Sequence, residues 1–400
     1  MPSGTAFIRG VETLATMGEI KKSGKVLFVA TVVRTHINEF HLPYLEWFKN
    51  QGWETHVAAR NDFNNEECHI PHCDFFHDVD FARSPFSIKN LKAYRQLKKI
   101  IDNDAFDLIH CHTPVGGMLA RFAARDAGKK GTKVIYTAHG FHFYKGAPAS
   151  KNLIYMSFEK IAARYTDHLI VLNQEDYDAA VKYLLPKAKV TLINGIGIDL
   201  DQYNAEKISD RQVFMLRGEL GLSDEDILIL MIAEFIPRKR HRDAIEALKK
   251  NGSKKLHILF AGTGPLLGEI KDLSEKYGLS KQVHFLGYRE NIPLLIAASR
   301  ATILTSGQEG MPRSVMESMA AGVAVIGADA RGTRDLLSEG CGIIFPVGDT
   351  DKLSDALKMV TSNPEILKRT AEKARRRVSE YDIKKILKDH ASVYAKVCGA

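Results

Sequence analysis

The alternation of apolar runs with longer amphipathic stretches divides the chain into two successive series. After Lys25 comes the strand-like run Val26–Ala30, then a polar turn around Arg34 and Thr35 and a helix from about Phe40 to Gln51. Trp53–Ala58, Leu108–His110, Val134–Thr137 and His168–Leu172 read as further strands, with helical periodicity in Gly117–Ala127 and Ile154–Tyr165. Short, nearly continuous apolar runs separated by helices predict a mostly parallel sheet covered on both faces. The pattern restarts with strands at Ile227–Ala233, Leu256–Ala261, Val283–Leu286, Ala301–Leu304 and Ala324–Gly327. Helices are expected between them at Arg242–Lys250, Leu266–Lys276, Ile292–Ser299, Arg313–Ala321 and Thr333–Leu337. The fold class is therefore α/β, with two doubly wound, Rossmann-like domains facing across a cleft, over residues 25–205 and 206–375. Residues 1–24 read as a loosely attached extension. The basic, largely helical tail Pro364–Lys396 is expected to end in a helix, over 376–400, that returns to the first domain.

Length agrees with this division, because 400 residues exceed what one ordinary core supports. An apolar fraction of 45% sits in the normal globular range, and nothing in the composition suggests disorder, collagen or a coiled coil. The five cysteines (Cys68, Cys73, Cys111, Cys341, Cys398) are scattered without a CxxC pair, which fits reduced thiols in a cytosolic chain. No apolar run is long enough to span a membrane, and residues 1–24 lack the signature of a secretory signal. The formal charge of +8 matters less than its placement. From Arg83 to Lys99 there are six basic residues and no acidic one, following Phe75, Phe76, Phe81 and Phe86. Two readings are open. Either a surface helix turns Ile88, Leu91, Leu97 and Ile101 towards the core, or the stretch meets an anionic membrane surface. Nucleic acid is not an expected partner, since the remaining charge is mixed and no binding motif occurs.

The segment Ser306–Gly322 carries the strongest chemical signal. Gly310 and Pro312 break regular structure after the strand ending at Leu304, and Arg313 opens a helix. Glu309 then lies in the strand-to-helix loop and Glu317 about one turn into the helix. The loop and helix-start N–H groups, from Gly310 through Met311 and Pro312 to Arg313, favour an anion such as a diphosphate. The carboxylates suit sugar or ribose hydroxyls instead. Ala261–Pro265, with Gly262 and Gly264, forms a second tight turn at a strand end, and Arg238–His241 offers cations at another. Because that glycine turn follows the second strand of its domain, a nicotinamide site is disfavoured. Eleven of the 15 histidines precede residue 205. His36, His139 and His142 are candidate substrate contacts. A zinc site among the histidines is conceivable, but no HxxxH or HExxH spacing supports it, and no essential metal is expected.

Glu309 to Glu317 matches the EX7E signature, so the chain resembles the retaining GT-B glycosyltransferases of glycosyltransferase family 4. Met319–Ile326, Asn194–Asp199, Ala261–Pro265 and Gly287–Arg289 fit the same family in order and spacing, and the likeness covers residues 25 to about 395. The first domain, in Thr31–His41, Phe81–Phe86 and Thr137–Gly146, is similar to enzymes of capsule, exopolysaccharide and lipid-linked glycan assembly. The resemblance implies an acceptor-binding first domain and a nucleotide-sugar-binding second one. It implies transfer of a hexosyl group, often N-acetylhexosamine, from a UDP-sugar to a polyprenyl-diphosphate-linked saccharide, with no tightly bound cofactor. The site implied is the cytoplasmic, inner face of the cell membrane, with peripheral attachment. By the same resemblance Glu309 contacts the donor sugar, Glu317 the ribose and Lys239 the diphosphate, while Tyr288 and Arg289 flank the uracil and His139 faces the transferred sugar. Two departures stand out. Glu234 occupies the place of an arginine that commonly accompanies the lysine, and no glycine pair occurs near Thr31. Arg238 or Arg331 is left to supply the missing charge, Arg331 being also an acceptor-side candidate with His36 and His142. The competing functions are a UDP-sugar 2-epimerase or hydrolase, and a non-catalytic sugar-nucleotide-binding subunit.

Overall fold

The computed structural model describes residue 20 and residues 23–63, 67–82 and 84–399, so most of the 1–24 extension, and Arg83 of the basic stretch, lie outside the described residues. Two compact units emerge. The first comprises the chain up to Val171, Asp176–Ile193 and everything from Lys384 on; the second comprises Leu172–Glu175 and Asn194–Ile383. The units thus divide at Asn194 and Lys384, where the sequence placed boundaries after residues 205 and 375.

In the first unit, β1 (Lys25–Val32), β2 (Glu54–Arg60), β3 (Phe75–Asp78), β4 (Leu108–His112), β5 (Lys133–Ala138), β6 (His168–Val171) and β7 (Val190–Leu192) form one parallel sheet. Its order is β3-β2-β1-β4-β5-β6-β7. β1 is central, with Phe28 opposite Val57 on one side and His110 on the other, and Val26 to Ala30 are wholly buried. The order reverses between β1 and β4, and the space beyond the carboxyl ends of such strands is where doubly wound sheets bind ligands. The helix Ile383–Cys398 belongs here through most of its length. The hydroxyl of fully buried Tyr394 lies 2.9 Å from His110 Nδ1, its ring packs 4.8 Å from Phe48, and Lys396 donates to the Ala188 carbonyl.

The second unit repeats the plan. Here β8 (Ile227–Ile232), β9 (Leu256–Ala261), β10 (Val283–Gly287), β11 (Ala301–Leu304), β12 (Ala324–Ala328) and β13 (Ile343–Phe345) pair in parallel in the order β10-β9-β8-β11-β12-β13. Its reversal lies between β8 and β11, where Ala301 pairs with Ile229. Each expected strand is present within a few residues. The sequence reading did not anticipate β3, β7 or β13, nor the helices Gln174–Tyr183, Asp210–Glu219 and Thr350–Ser362.

The basic stretch folds as the helix Lys89–Asn103. Leu97 and Ile101 face the core as expected, but Ile88 is 81% exposed and Leu91 59% exposed. Asn90 and Ala93 take the inward positions instead, and Asn90 binds the turn before the helix through Ala82 N and Ser84 O. Phe81, grouped by sequence with the surface aromatics, is wholly buried, whereas Phe86 is exposed. Part of the positive charge is matched: Lys92 pairs with Asp80, and Lys98 with Asp102 and Asp126.

Candidate active site

At the reversal of the second sheet, the turn after β8 and the loop after β11 are laced together. Thr305 Oγ1 lies 2.7 Å from the Lys239 carbonyl and 3.0 Å from that of Arg240, and Ser306 Oγ and Gly307 N both donate to the Arg238 carbonyl. Arg240 is held at φ 53°, a left-handed conformation unusual for a side chain larger than glycine, and its guanidinium is anchored on Asp243. These bonds aim Lys239 at Glu309. Lys239 Nζ makes an ion pair with Glu309 Oε1, and Arg238 reaches the same oxygen at 3.3 Å. Burial on its own would raise the Glu309 pKa, but Lys239 and Arg238 overcome it and hold the carboxyl below its ordinary range. Glu309 is therefore ionised at neutral pH.

Glu317 sits in the helix Arg313–Ala320, which Pro312 opens. It is as buried as Glu309 and not solvated: Tyr203 donates to its Oε1 at 2.8 Å, and Arg313 Nε stands 3.0 Å from the same atom. The loop between the two glutamates is fixed from several sides. Arg331 Nε, also buried, donates to the Glu309 carbonyl, and Asn173 donates to that of Gly310. A Cβ on Gly332 would come within 1.8 Å of Gly310 O, so only glycine allows that approach. Arg331 therefore braces the glutamate loop of the second unit, while Arg238 is the cation that stands beside Lys239. Tyr203 and Asn173 were not singled out by sequence; nothing in their local pattern marks them, although Asn173 does follow the end of β6.

The turn at Gly262 and Gly264 lies against the backbone that follows β8. A Cβ on Gly262 would meet Ala233 O at 2.0 Å, and one on Gly264 would meet Phe235. Exposed Glu234 lies between these contacts, bounded by Phe235 N donating to Thr263 O. Tyr288 is exposed and Arg289 donates to Asn291, both just past the carboxyl end of β10.

In the first unit, the carboxyl ends of β1, β4 and β5 gather histidines. The chain leaves β1 through a π-helical turn, Val33–Ile37, which carries His36. His41 precedes the helix Leu42–Asn50 and stacks on His112 at 3.8 Å between ring centroids. His139 Nε2 lies 3.3 Å from His112 Nδ1. Burial pushes the His139 pKa down to about 4, so its imidazole is neutral at pH 7. His142 stands apart, its ring 5.0 Å from Tyr155, in a cavity of about 90 Å³ lined also by Phe86, Arg121 and Phe158.

Two parallel sheets, the second in the order 3-2-1-4-5-6 and the first in the same order with a seventh strand added, and a buried glutamate paired with a lysine and an arginine at the reversal of the second define a GT-B glycosyltransferase. Residues 25–173 match the family described as glycosyl transferase 4-like, and residues 214–377 the glycosyl transferases group 1. Over 374 residues the chain is 38% identical to the putative glycosyltransferase EpsD of Bacillus subtilis strain 168, covering 93% of this chain and 96% of that one. It is 30% identical over 283 residues to the UDP-Gal:alpha-D-GlcNAc-diphosphoundecaprenol alpha-1,3-galactosyltransferase of Escherichia coli, covering 69% and 72% of the two chains. Anabaena HepE, solved with UDP and glucose, superposes with a TM-score of 0.78 at 18% identity over 93% of this chain and all of that one. The chain belongs to the group 1, 4-like glycosyltransferases and is itself a glycosyltransferase.

Proposed function

We propose that the protein moves a hexosyl group, in the simplest case an N-acetylhexosamine, from a UDP-sugar to a saccharide carried on a polyprenyl diphosphate, with retention at the anomeric carbon. The observation that carries this reading is the buried Glu309, ion-paired with Lys239 and Arg238 at the sheet reversal, next to the start of a helix that no side chain caps. The acceptor class named for the Escherichia coli relative and the UDP bound by HepE support it.

An incoming diphosphate would draw Lys239 and Arg238 to its oxygens, and the negative charge would leave Glu309 free only for hydroxyl donors of the sugar. Glu317, already accepting from Tyr203, is suited to ribose hydroxyls. As the anomeric C–O bond breaks, its electron pair stays on the β-phosphate of UDP, where Lys239 and the first N–H groups of Arg313–Ala320 stabilise it. The acceptor oxygen bonds to the anomeric carbon from the same face, and its proton passes to the departing phosphate oxygen. No strongly basic side chain is required, in keeping with a His139 held neutral and poised as a hydrogen-bond partner. Gly262 and Gly264, Gly310 to Arg313, and Tyr288 with Arg289 are assigned to the nucleotide, and His36 and His142 to the acceptor side.

Among the described residues no helix is long and apolar enough to cross a membrane. The first unit nevertheless exposes Phe86, Ile88 and Leu91 together with Leu153, Ile154, Phe158 and Ile161, and Phe86 and Phe158 border the 90 Å³ cavity. An apolar surface with Lys89, Arg95 and Lys99 nearby suits peripheral attachment to an anionic, cytoplasmic membrane face, where the lipid-linked acceptor lies. The test is a donor panel with lipid extract and mass detection of the lengthened polyprenyl-linked product. Glu309→Ala should lower turnover about 100-fold or more while UDP affinity changes only a few fold. Equal turnover in that variant removes Glu309 from the reaction, and a sugar product formed without acceptor replaces transfer by epimerisation or hydrolysis.

A further inference from the structure

In the first unit His36 and His139, assigned above to substrate contacts, meet His41 and His112, to which the transfer chemistry gives no role, so an ion held by this group would compete with those substrate contacts. One ring nitrogen each of His36, His41 and His139 lies within 4.8 Å of the others. His41 is 2% exposed, and neither of its ring nitrogens has a hydrogen-bond partner; Nε2 of His36 and of His112 are likewise buried and unpartnered. An unsatisfied buried polar atom costs about 1–3 kcal/mol, so orphan nitrogens on His36 and His41, two members of this three-ring group, point to something that binds there. The backbone shows the same concentration. His36 rides on a π-helical turn, and neighbouring Thr113 is held at φ 62° and ψ 153°, a region nearly reserved to glycine.

We propose that His36, His41 and His139 form a three-imidazole site for a divalent transition-metal ion of the zinc type, with a fourth position for water or an anionic oxygen. Three nitrogens and an open position are the ligand set of an accessible zinc centre. Among the described residues no carboxylate or thiol joins the group, which disfavours magnesium and calcium. Zinc–nitrogen bonds of about 2.0–2.1 Å put tetrahedral ligands about 3.4 Å apart, so small ring rotations from the present spacing suffice. His139 Nε2 also lies 3.3 Å from His112 Nδ1, a contact that orients the ring. The ligands come from the ends of two strands and the start of a helix, so no short sequence spacing announces them.

The full chain, freed of any purification tag and dialysed against chelator, is titrated with Co²⁺ and Zn²⁺. The expected result is one saturable ion per chain, a tetrahedral cobalt absorption spectrum displaced by zinc, and an X-ray absorption spectrum with imidazole nitrogens in the first shell. His36→Gln, His41→Gln and His139→Gln should each weaken binding at least tenfold. His284→Gln, which removes one member of an unrelated histidine pair in the second unit, should leave it unchanged. Absence of saturable binding, an octahedral cobalt spectrum, a first shell of sulfur, or affinity that is the same in all three variants overturns the proposal. Should a variant misfold, the spectra of the unmodified chain decide.

Discussion

Glu309 and Glu317 differ in what they hold before any substrate arrives. Glu309 is tied to two cations from the turn after β8, and Glu317 to a tyrosine hydroxyl and the arginine one turn before it. Binding of a diphosphate must therefore exchange partners at Glu309 but can leave those at Glu317 in place. Lys239→Ala is expected to weaken UDP binding and turnover together, each by tenfold or more, as measured by calorimetry and steady-state rates. Tyr203→Phe removes one hydrogen bond of about 1–2 kcal/mol, so UDP affinity should fall several-fold with kcat nearly unchanged. Gly332→Ala forces a Cβ against Gly310 O, and the glutamate loop must move; a loss of more than about 2 kcal/mol in urea unfolding, with loss of activity, is expected. The glutamates were legible in the sequence because their spacing and the glycine and proline around them are local. Tyr203, Asn173 and the brace from Arg331 were not, because they reach the loop from distant parts of the chain, and only the folded backbone brings them there.

The strands that sequence periodicity missed share a position: β3, β7 and β13 are all at sheet edges. Each has only three or four residues, and exposed or half-buried positions interrupt its apolar run, whereas β1 and β9 are buried along almost their whole length. An edge strand touches one neighbour and one or two helices, so it needs fewer apolar side chains, and its signal is correspondingly weak. The helix Lys89–Asn103 illustrates the converse. Its periodicity correctly put Leu97 and Ile101 inside, but the first turn departs from the stripe and leaves Ile88 and Leu91 in the open. If those two side chains meet a membrane, the double change Ile88→Asp and Leu91→Asp should reduce sedimentation with anionic vesicles at least tenfold. Unfolding free energy should stay within about 0.5 kcal/mol, since neither side chain contributes to the core.

At the scale of the whole molecule, the first unit carries a pH liability. His110 and His390 are buried, and burial, ahead of any neighbouring charge, holds both pKa values below the usual 6.5, that of His390 at about 4. Above pH 6.5 neither affects stability. As the pH falls towards 4, the unfolded chain takes up protons that the folded one refuses, and stability is lost at up to about 1.4 kcal/mol per pH unit for each. Both tryptophans of the chain, Trp47 and Trp53, are buried in this unit. Urea unfolding followed by tryptophan fluorescence, with chelator present, should therefore show a midpoint that drops between pH 7 and 5. An unchanged midpoint would mean that these imidazoles are protonated in the folded state. The same two tryptophans bear on how the chain is made. Trp47 packs 5.5 Å from Tyr394, on a helix that leaves the ribosome only after every residue of the second unit has been synthesised. During translation the second unit can close first, while the earlier-made sheet waits with Trp47 and Phe48 uncovered. A ribosome stalled before Tyr394 emerges should thus carry a nascent chain that chaperones bind around Trp47 and Phe48, not in the more recently made second unit.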